Sequence, residues 1–411
     1  MSISKDGLFK FQVLNEKQRK NLIILNAIKK GGQVSKSDLA KQTGYNIVTL
    51  SNYIEEYKSK GLVYETGLDS PSGGRPPVLL ALKKQESYLV GVDFGLDAIN
   101  AIITDLQLNI VAELTAPRPE IEQENVASSL ISVIGDLIKK SRIENEKIRH
   151  ISIGFYGAIE EKNGAVKWLD EEKGRSRATI YYTTLKKAIE NEFNIGTFFG
   201  SDVTFAAFGE RTQNPAADIE NLLYVFKDIG RGVVIKGEIY CGTNTAQDLD
   251  GLTGGLRPEE KAKLSKDVNY LRPWKRGMSL LEEARKVLES GVGTTIVEIL
   301  KGDMGQLTEA TIIKAAGQKD EVAVELIETI GINLGVKVSY LINLFSPQAV
   351  FIGGGIEKAG SLLFDTIRKT IDKLTLEDSL KNVKLYPSIL GDRAVAVGAA
   401  AAGLREVFLE A

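Results

Sequence analysis

Residues 35–60 carry the pattern of two short helices joined by a tight turn: SKSDLAKQTGYNIVTLSNYIEEYKSK. Ser35 or Ser37 can cap the first helix, and Gly44 stands where a chain leaving a helix often needs a positive φ. In the second helix, apolar residues that recur at helical spacing predict one buried face: Ile47, Leu50, Ile54 and Tyr57. The pattern therefore restricts this stretch to a helical hairpin, of which the DNA-binding helix-turn-helix is one form.

The other face of the second helix, over residues 46–53, is short, polar and free of acidic side chains. An Asn on such a face can make a bidentate contact to adenine in the major groove, and a Thr can contact a thymine methyl group or a phosphate. We therefore predict that DNA is contacted by these residues of the hairpin: Ser35, Asn46, Thr49, Asn52 and Tyr53. An ordinary helical hairpin is the alternative interpretation.

Residues 61–83 predict a strand, a turn rich in Gly, Pro and Ser, and a second strand, as in the wing of a winged helix. Within the turn, residues 73–77 (GGRPP) form a stiff, extended segment that presents Arg75, and such a segment can enter a narrow minor groove. A proline-stiffened linker with an incidental Arg is the alternative. With a supporting helix over 15–32, this pattern predicts a winged helix-turn-helix domain at 1–85.

The distribution of charge sets this first segment apart from the rest of the chain. Residues 1–85 hold 14 Lys and Arg against 7 Asp and Glu, a net charge of +7. The whole chain of 411 residues has a formal net charge of -2, so the remainder carries -9. A basic segment joined to an acidic body is typical of a nucleic-acid-binding module attached to another domain. We therefore expect double-stranded DNA as a partner.

Several classes of protein are excluded by what the sequence lacks. The chain has one Cys, Cys241, and one His, His150, which excludes an intrachain disulfide and a Cys/His zinc site. We expect neither a metal nor a cofactor. The N-terminus lacks the apolar run of a signal peptide, and no stretch approaches the roughly 20 apolar residues that a membrane helix needs. A cytoplasmic protein without a membrane segment is expected.

From Tyr88 onward, the pattern changes to buried strands separated by turns and helices. Two strands joined by a turn at Asp93-Phe94-Gly95 precede a helix over 124–140 and a strand over 150–155. Each half of the actin-like fold of sugar kinases and Hsp70 ATPases begins in this way.

The remainder of the chain repeats this order of elements. Its predicted elements are paired strands over 221–234 and 237–240, helices over 279–290 and 321–343, and a strand over 349–352 that enters three glycines. We therefore predict an α/β chain in which a winged helix-turn-helix precedes a two-lobed, actin-like (ribonuclease H-like) fold, with lobes at 86–205 and 206–411. In the long helix, Gly331 and Gly335 indicate either close helix packing or a dimer seam.

Several separated motifs occur in an order that resembles the ROK family (repressors, open reading frames and kinases), and within it the xylose and N-acetylglucosamine repressors. The motifs are GGRP at 73–76, VGVDFG at 90–95, SD at 201–202 with AAFGE at 206–210, SPQAVFIGGG at 346–355, and DRA at 392–394 with VGAA at 397–400. The resemblance places Asp202 at the position of the family's catalytic base. It places a nucleotide site at these residues: Asp93, Gly95, Gly230, Gly353, Gly354 and Gly355.

The kinase motifs themselves are eroded. The family's first phosphate turn continues with Gly, Thr and Lys, whereas this chain continues with Leu96-Asp97-Ala98-Ile99. The second phosphate turn is represented by residues 226–230 (FKDIG), which place a carboxylate, Asp228, where polyphosphate would lie. At about 4 Å and an effective dielectric near 20, this repulsion is roughly 4 kcal/mol per unit charge. We therefore expect a vestigial nucleotide site and no catalysis.

The sugar-binding segment of the family has also changed. Its His is absent from residues 247–251, and the region at 253–274 contains none of the family's zinc ligands. Polar side chains remain that can bind a sugar or sugar-phosphate effector: Asp202, Asn244, Asp248 and Asp250. Solvated loop residues are the alternative interpretation of this set. Glu210 is expected to begin a surface turn.

These patterns predict a transcriptional regulator, a repressor of carbohydrate-utilisation genes, that binds operator DNA and senses a sugar in a degenerate kinase-like cleft. Reading two half-sites requires two heads, so a homodimer or a dimer of dimers is expected. The alternative is an active ATP-dependent sugar kinase that retains a DNA-binding head. A third reading is a scaffold protein that has lost ligand binding.

Overall fold

The computed structural model describes residues 2–3, 7–10, 14–68, 78–95, 98–169, 176–213, 219–226, 231–235, 238–239 and 280–411. The chain packs into two compact units. The first comprises Met1–Trp168, Arg177–Gly209 and Val395–Ala411, and the second comprises Leu169–Ser176 and Glu210–Ala394. The N-terminal head and the first lobe thus share one unit, while the domain limits at 85 and 205 stay a prediction.

The head is a small helical domain with a three-stranded sheet. Its elements, after a short hairpin of β1 (Ser2–Ile3) and β2 (Phe9–Lys10), are α1 (Glu16–Gly31), β3 (Val34–Ser35), α2 (Lys36–Thr43), α3 (Ile47–Ser59), β4 (Val63–Leu68) and β5 (Val78–Leu82). The strands are antiparallel in the order β3-β5-β4. Ser35 caps α2, Asn46 caps α3, and Gly44 between them has φ 73°. Helix, helix-turn-helix and two-stranded wing are therefore present as predicted.

The first lobe is built on a five-stranded mixed sheet. Its elements are β6 (Tyr88–Phe94), β7 (Ala98–Asp105), β8 (Ile110–Pro117), α4 (Gln123–Ser141), β9 (Ile148–Phe155), β10 (Ala158–Glu160), β11 (Ala165–Leu169), β12 (Ser176–Tyr181), α5 (Tyr182–Phe193), β13 (Thr197–Ser201) and α6 (Asp202–Gln213). The order is β13-β9-β6-β7-β8, in which β13, β9 and β6 are parallel and β7 and β8 antiparallel.

A second five-stranded sheet repeats this topology. Its strands are β14 (Leu222–Phe226), β15 (Arg231–Ile235), β16 (Glu238–Ile239), β17 (Ala349–Gly353) and β18 (Lys384–Pro387). Its order is β16-β15-β14-β17-β18, again with three parallel strands and two antiparallel ones. The helices are α7 (Leu280–Glu289), α8 (Thr295–Ile299), α9 (Glu309–Gly317), α10 (Glu321–Phe345), α11 (Ser361–Leu374), α12 (Glu377–Leu380) and α13 (Ala394–Leu409). The repeated sheet confirms the predicted actin-like α/β fold.

Helix α13 returns to the first unit and packs there with direct backbone contact at two glycines. A Cβ at Gly91 of β6 would overlap the carbonyl oxygen of Ala396, and a Cβ at Gly398 would overlap the carbonyl group of Phe205. Since backbone meets backbone at both points, only glycine fits there. The helix is therefore fixed against both β6 and α6.

Helix α10 packs on α11 through its two glycines. A Cβ at Gly331 would lie 2.9 Å from the Cβ of Thr366, and a Cβ at Gly335 would lie 2.5 Å from the Cβ of Thr370. Of the two interpretations of these glycines, close helix packing is therefore confirmed, and this face is covered by the chain's own α11. Neither α10 nor any other helix in the described ranges is both long and apolar enough to cross a membrane.

The segment that precedes the head belongs structurally to the first lobe. The backbone N–H of Phe199 donates to the carbonyl oxygen of Gly7 at 2.8 Å, so the segment extends the sheet beside β13. The ring of Phe9 packs on Phe198, Phe205 and Phe208, with centroids 5.5–6.0 Å apart. The head is therefore anchored to the first lobe before its first helix begins.

Candidate functional site

Helix α3 divides into a buried face and an exposed face. Leu50, Ile54 and Tyr57 are fully buried, as their spacing predicts. Asn52 is exposed and Tyr53 is half-buried. The first turn of the helix contains no acidic residue. The exposed face can therefore approach a polyanion without electrostatic repulsion from its own first turn.

Asn46 and Asn52 differ in what their amides are free to do. The Oδ1 atom of Asn46 accepts a hydrogen bond from the backbone N–H of Thr49 at 2.8 Å, which caps the helix. A bidentate contact to adenine needs both the amide oxygen and the amide nitrogen. Asn52 lies in the second turn, away from the cap, so it is the better placed of the two for such a contact.

Two of the predictions for the hairpin are wrong. Ser35 is 1% exposed, and its hydroxyl accepts from the backbone N–H of Asp38 at 3.2 Å and donates to its carboxylate at 2.6 Å. Ser35 therefore caps α2, and its side chain does not reach the protein surface where DNA could contact it. Ile47 was predicted to be buried but is 53% exposed, because side chains in a helix tilt towards its N-terminus and the first turn has no preceding turn to cover.

In the first sheet, two carboxylates stand at the ends of parallel strands. Asp93 is the penultimate residue of β6 and is paired in register with Gly154 of β9, which is paired with Gly200 of β13. Asp202 follows β13 directly and begins α6. The carboxyl ends of parallel strands form the ligand-binding edge in open α/β sheets. The structure thus brings the predicted Asp93 and Asp202 to the same edge.

Asp202 has the chemistry of a hydrogen-bonding group for a polyol. Burial raises its pKa to about 7, although hydrogen bonds from the Val203 backbone N–H at 2.8 Å and the Ser201 hydroxyl at 3.2 Å act in the opposite direction. Near neutrality the carboxyl group therefore exists in both protonation states. It can accept from a sugar hydroxyl in one state and donate to it in the other.

Asp93 and Gly95 are held within the sheet. Asp93 is 9% exposed, and its carboxylate accepts from the side-chain amide of Asn100 at 3.5 Å. The backbone N–H of Gly95 donates to the carbonyl oxygen of Ala98 at 3.0 Å, which closes the turn between β6 and β7. This amide is therefore used by the turn, whereas a phosphate-binding turn directs its N–H groups at the ligand.

The glycine turn at the end of β17, Gly353–Gly355, has several carboxylates around it. Gly354 and Gly355 have φ values of 83° and 91°. A Cβ at Gly355 would lie 3.1 Å from Oδ1 of Asp392 and 3.7 Å from Oε2 of Glu309. Glu357, which follows directly, is 8% exposed, and burial raises its pKa. These carboxylates disfavour the binding of a polyphosphate at the turn, and the ion pair between Asp392 and Lys358 reduces this effect.

Glu210 does not begin a surface turn, and that prediction is wrong. It lies inside α6, is fully buried, and accepts hydrogen bonds from the Ser388 hydroxyl and from the backbone N–H of Leu390, the latter at 3.2 Å. Burial raises its pKa. These donors offset part of its desolvation and come from a segment about 180 residues later, which local patterns do not indicate. The role of Glu210 is to hold the segment that leads to Asp392.

Five predicted site residues lie outside the described residues, and their positions stay a prediction. They are Arg75 of the wing, Gly230 of the second phosphate turn, and Asn244, Asp248 and Asp250 of the sugar segment.

A polar junction between the head and α13 was missed by the sequence analysis. Asn21 of α1 is fully buried, donates to the carbonyl oxygen of Ala411 at 2.6 Å and accepts from the hydroxyl of the fully buried Tyr57 at 2.9 Å. Nearby, Lys60 donates to the carbonyl oxygen of Glu410 at 2.9 Å. The available signal was an Asn inside the apolar face of α1, next to Leu22. The junction fixes the head to the helix that packs on β6, which bears Asp93, and on α6, which begins at Asp202.

Comparison with known proteins gives related proteins along most of the chain. The xylose repressor of Bacillus subtilis (strain 168) is 27% identical over 389 residues, which cover 92% of this chain and 92% of that protein. The DNA-binding transcriptional dual regulator NagC of Escherichia coli (strain K12) is 24% identical over 387 residues, 93% of this chain and 91% of that protein.

The fold is also found in a solved structure. A ROK family transcriptional regulator, a homologue of the E. coli MLC protein, superposes with a TM-score of 0.74 and 21% identity, and covers 96% of this chain and 98% of that one. At this identity the likeness shows the fold alone. In sequence, the model of the ROK family matches residues 89–249 and 288–405, more than half of the chain. The chain therefore belongs to the ROK family.

Proposed function

We propose that this protein is a transcriptional repressor of carbohydrate-utilisation genes that binds operator DNA through its head and senses a sugar or sugar derivative near Asp202. It acts without phosphorylating the sugar. Because regulators of this kind work on chromosomal DNA, a cytoplasmic location follows from the same proposal.

The likeness to repressors includes the head as well as the body of the chain, and this observation carries the proposal. The ROK family model begins at residue 89, after the head. The likeness to the xylose repressor covers 92% of the chain, so it must include most of the head as well. The head has the helices, turn and paired strands of a winged helix, and its charge is +7 over residues 1–85. A body of the kinase type joined to a basic winged helix supports a regulator rather than a kinase.

In this proposal, the exposed face of α3 enters the major groove. Asn52 contacts an adenine, Thr49 and Tyr53 contact the neighbouring bases or phosphates, and Asn46 contributes its amide nitrogen while its oxygen caps the helix. Arg75 of the wing is proposed to enter the minor groove.

Replacing Asn52 with alanine should weaken binding to a duplex selected by the wild-type protein from a random pool. The expected loss is about 1–3 kcal/mol, because a bidentate contact to one adenine disappears while the phosphate contacts remain. The slope of log K against log salt should stay at the wild-type value, about -0.9 for each phosphate neutralised. Fluorescence anisotropy at several salt concentrations measures both quantities.

Asn26→Ala is the matched control, since Asn26 is an exposed Asn on α1 of the same head. It should bind as the wild type does. If Asn52→Ala also binds as the wild type does, α3 is not the reading helix. If the random pool yields no enriched sequence, DNA recognition itself is refuted.

The sugar is proposed to bind at the edge that bears Asp202 and Asp93, with Asn244, Asp248 and Asp250 as further contacts. The carboxyl group of Asp202 titrates near neutrality, so it can accept a hydrogen bond from a sugar hydroxyl or donate one to it. The relatives include a xylose repressor and an N-acetylglucosamine repressor of E. coli, so pentoses and N-acetylhexosamines are the first candidates.

Asp202→Asn should abolish the rise in melting temperature that a sugar causes in the wild type. It should also stabilise the protein at high pH. The folded state holds the proton on Asp202 up to about pH 7, against an ordinary pKa of 3.8, so this group's contribution to stability is greatest at low pH and falls as pH rises to about 7. Asn does not titrate. After allowance for solvent screening, the free energy of unfolding of the variant relative to wild type should rise by about 1–2 kcal/mol from pH 5 to pH 8.

The measurements are urea denaturation at the two pH values and a thermal-shift panel of pentoses, hexoses and N-acetylhexosamines. Asp136→Asn, an exposed Asp on α4, is the control and should change neither result. A sugar response that survives in Asp202→Asn would place the effector elsewhere. No response in the wild type would favour a scaffold protein without a ligand.

An active sugar kinase is the second candidate, because the family includes kinases. The carboxylates of Asp392 and Glu309 beside Gly355 disfavour ATP binding, as does the use of the Gly95 amide within its own turn. A coupled assay of ADP release over the same sugar panel separates the two candidates.

The protein is proposed to act as a homodimer or a dimer of dimers. One α3 reads only a few base pairs, so two heads must bind half-sites about 34–36 Å apart or a multiple of that distance. The face of α10 that contains Gly331 and Gly335 is occupied by α11, so the contact between protomers must use another surface.

A further inference from the structure

Two neighbouring aliphatic side chains at the start of α3 are exposed to solvent. Val48 is 72% exposed and Ile47 is 53% exposed, and Val48 is the most exposed large apolar side chain in the described part of the head. β-branched residues are moderate helix formers and gain nothing from contact with water. Neither packing within the head nor helix propensity therefore explains this pair.

The position of Val48 relates it to the proposed reading residue. Val48 and Asn52 are four residues apart on the same helix, so their side chains are neighbours on one face, about 6 Å apart. Asn52 is exposed as well. In a helix-turn-helix, the N-terminal residues of the second helix contact the base edges. Val48 lies closer to that end than Asn52 does.

The surroundings of Val48 favour a polyanionic partner over another apolar surface. The first turn of α3 has no acid, and the ammonium group of Lys36 lies at the same end, 3.3 Å from the hydroxyl of Ser51. The head as a whole is basic. An apolar side chain in such surroundings fits the one apolar group that the major groove displays, the methyl group of thymine.

We propose that Val48, flanked by Ile47, is a specificity-determining residue that contacts the methyl group of a thymine in the same half-site as the adenine contacted by Asn52. This rests on the proposed function, because it requires that α3 reads DNA. It assigns to the head a preference for a thymine at a defined position, read by its methyl group rather than by its hydrogen-bonding edge.

The test removes the methyl group and nothing else. The full-length wild-type protein first selects a duplex from a random pool, and each thymine of one half-site is then replaced by deoxyuridine, one at a time. For wild type, one position should lose affinity about four-fold, the factor that corresponds to burying one methyl group. Val48→Ala should bind the thymine and uracil duplexes equally well. Ile23→Ala, which removes another exposed aliphatic side chain of the head, should retain the wild-type difference.

The possible outcomes separate this inference from the proposed function. No enriched duplex would refute both. An enriched duplex with no uracil-sensitive position, or with an equal loss in wild type and Val48→Ala, would overturn the role of Val48 and leave DNA binding intact. Val48→Thr keeps one methyl group in its side chain. If this variant again loses affinity when the thymine is replaced by deoxyuridine, the result supports a methyl contact.

Discussion

Gly398→Ala should destabilise the first unit by about 3 kcal/mol or more. A Cβ at this position would overlap the carbonyl group of Phe205 and lie 3.0 Å from its Cα. The obstacle is backbone within α6, which cannot rotate away as a side chain can, so either α13 or α6 must shift. Urea denaturation followed by circular dichroism measures the change in the free energy of unfolding.

Gly317→Ala is the matched control for this substitution. Gly317 ends α9, and a Cβ there would meet nothing within 4 Å. Alanine favours a helix over glycine by up to about 1 kcal/mol, so the control should be neutral or slightly more stable. If both variants were equally stable, α13 would not be held against α6 as the structure shows.

Asn21→Ala should cost about 3 kcal/mol and weaken the attachment of the head. Two hydrogen bonds disappear, which leaves the buried hydroxyl of Tyr57 without its acceptor and the carbonyl oxygen of Ala411 without its donor. Each buried polar group that loses its partner costs about 1–3 kcal/mol. Tyr57→Phe removes one of these bonds and should cost less, about 1–2 kcal/mol.

The exposed Asn26 on the same helix gives the control, since surface substitutions usually stay within about 0.5 kcal/mol. Urea denaturation of the full chain gives the free energy of unfolding of each of the three variants and so ranks them. A result in which Asn21→Ala costs no more than Asn26→Ala would show that the junction between α1 and the end of the chain is not formed in solution. A larger loss for Tyr57→Phe than for Asn21→Ala would contradict the assigned hydrogen bonds.

Gly398 and Asn21 lie in the parts of the structure that join the head to the proposed effector site. Phe205, on which Gly398 packs, lies one turn after Asp202 in α6. At its other end, α13 leads to Ala411, which accepts from Asn21 of the head. Ahead of the head, Phe9 also packs on Phe205. Both attachments of the head thus reach the same helix.

The sequence by itself determined the elements whose signals are local. Ser35, Gly44 and Asn46 mark the ends of α2 and α3 because a side-chain cap or a left-handed residue acts on groups within a few positions along the chain. The period of the apolar residues likewise located α10, predicted over 321–343 and found at Glu321–Phe345. The repeated order of strands and helices indicated two similar sheets.

Only the tertiary structure decided which faces are covered. Ile47 matches the apolar period of α3 and is nevertheless exposed, because no other element covers the first turn. Glu210 looked like a surface residue and is buried, since its donors come from residues about 180 positions later. Asn21 and Ala411 are 390 residues apart. Local spacing determines which residues share a helix face, but burial depends on what the rest of the chain places against that face, and contacts over such separations leave no periodic signal in the sequence.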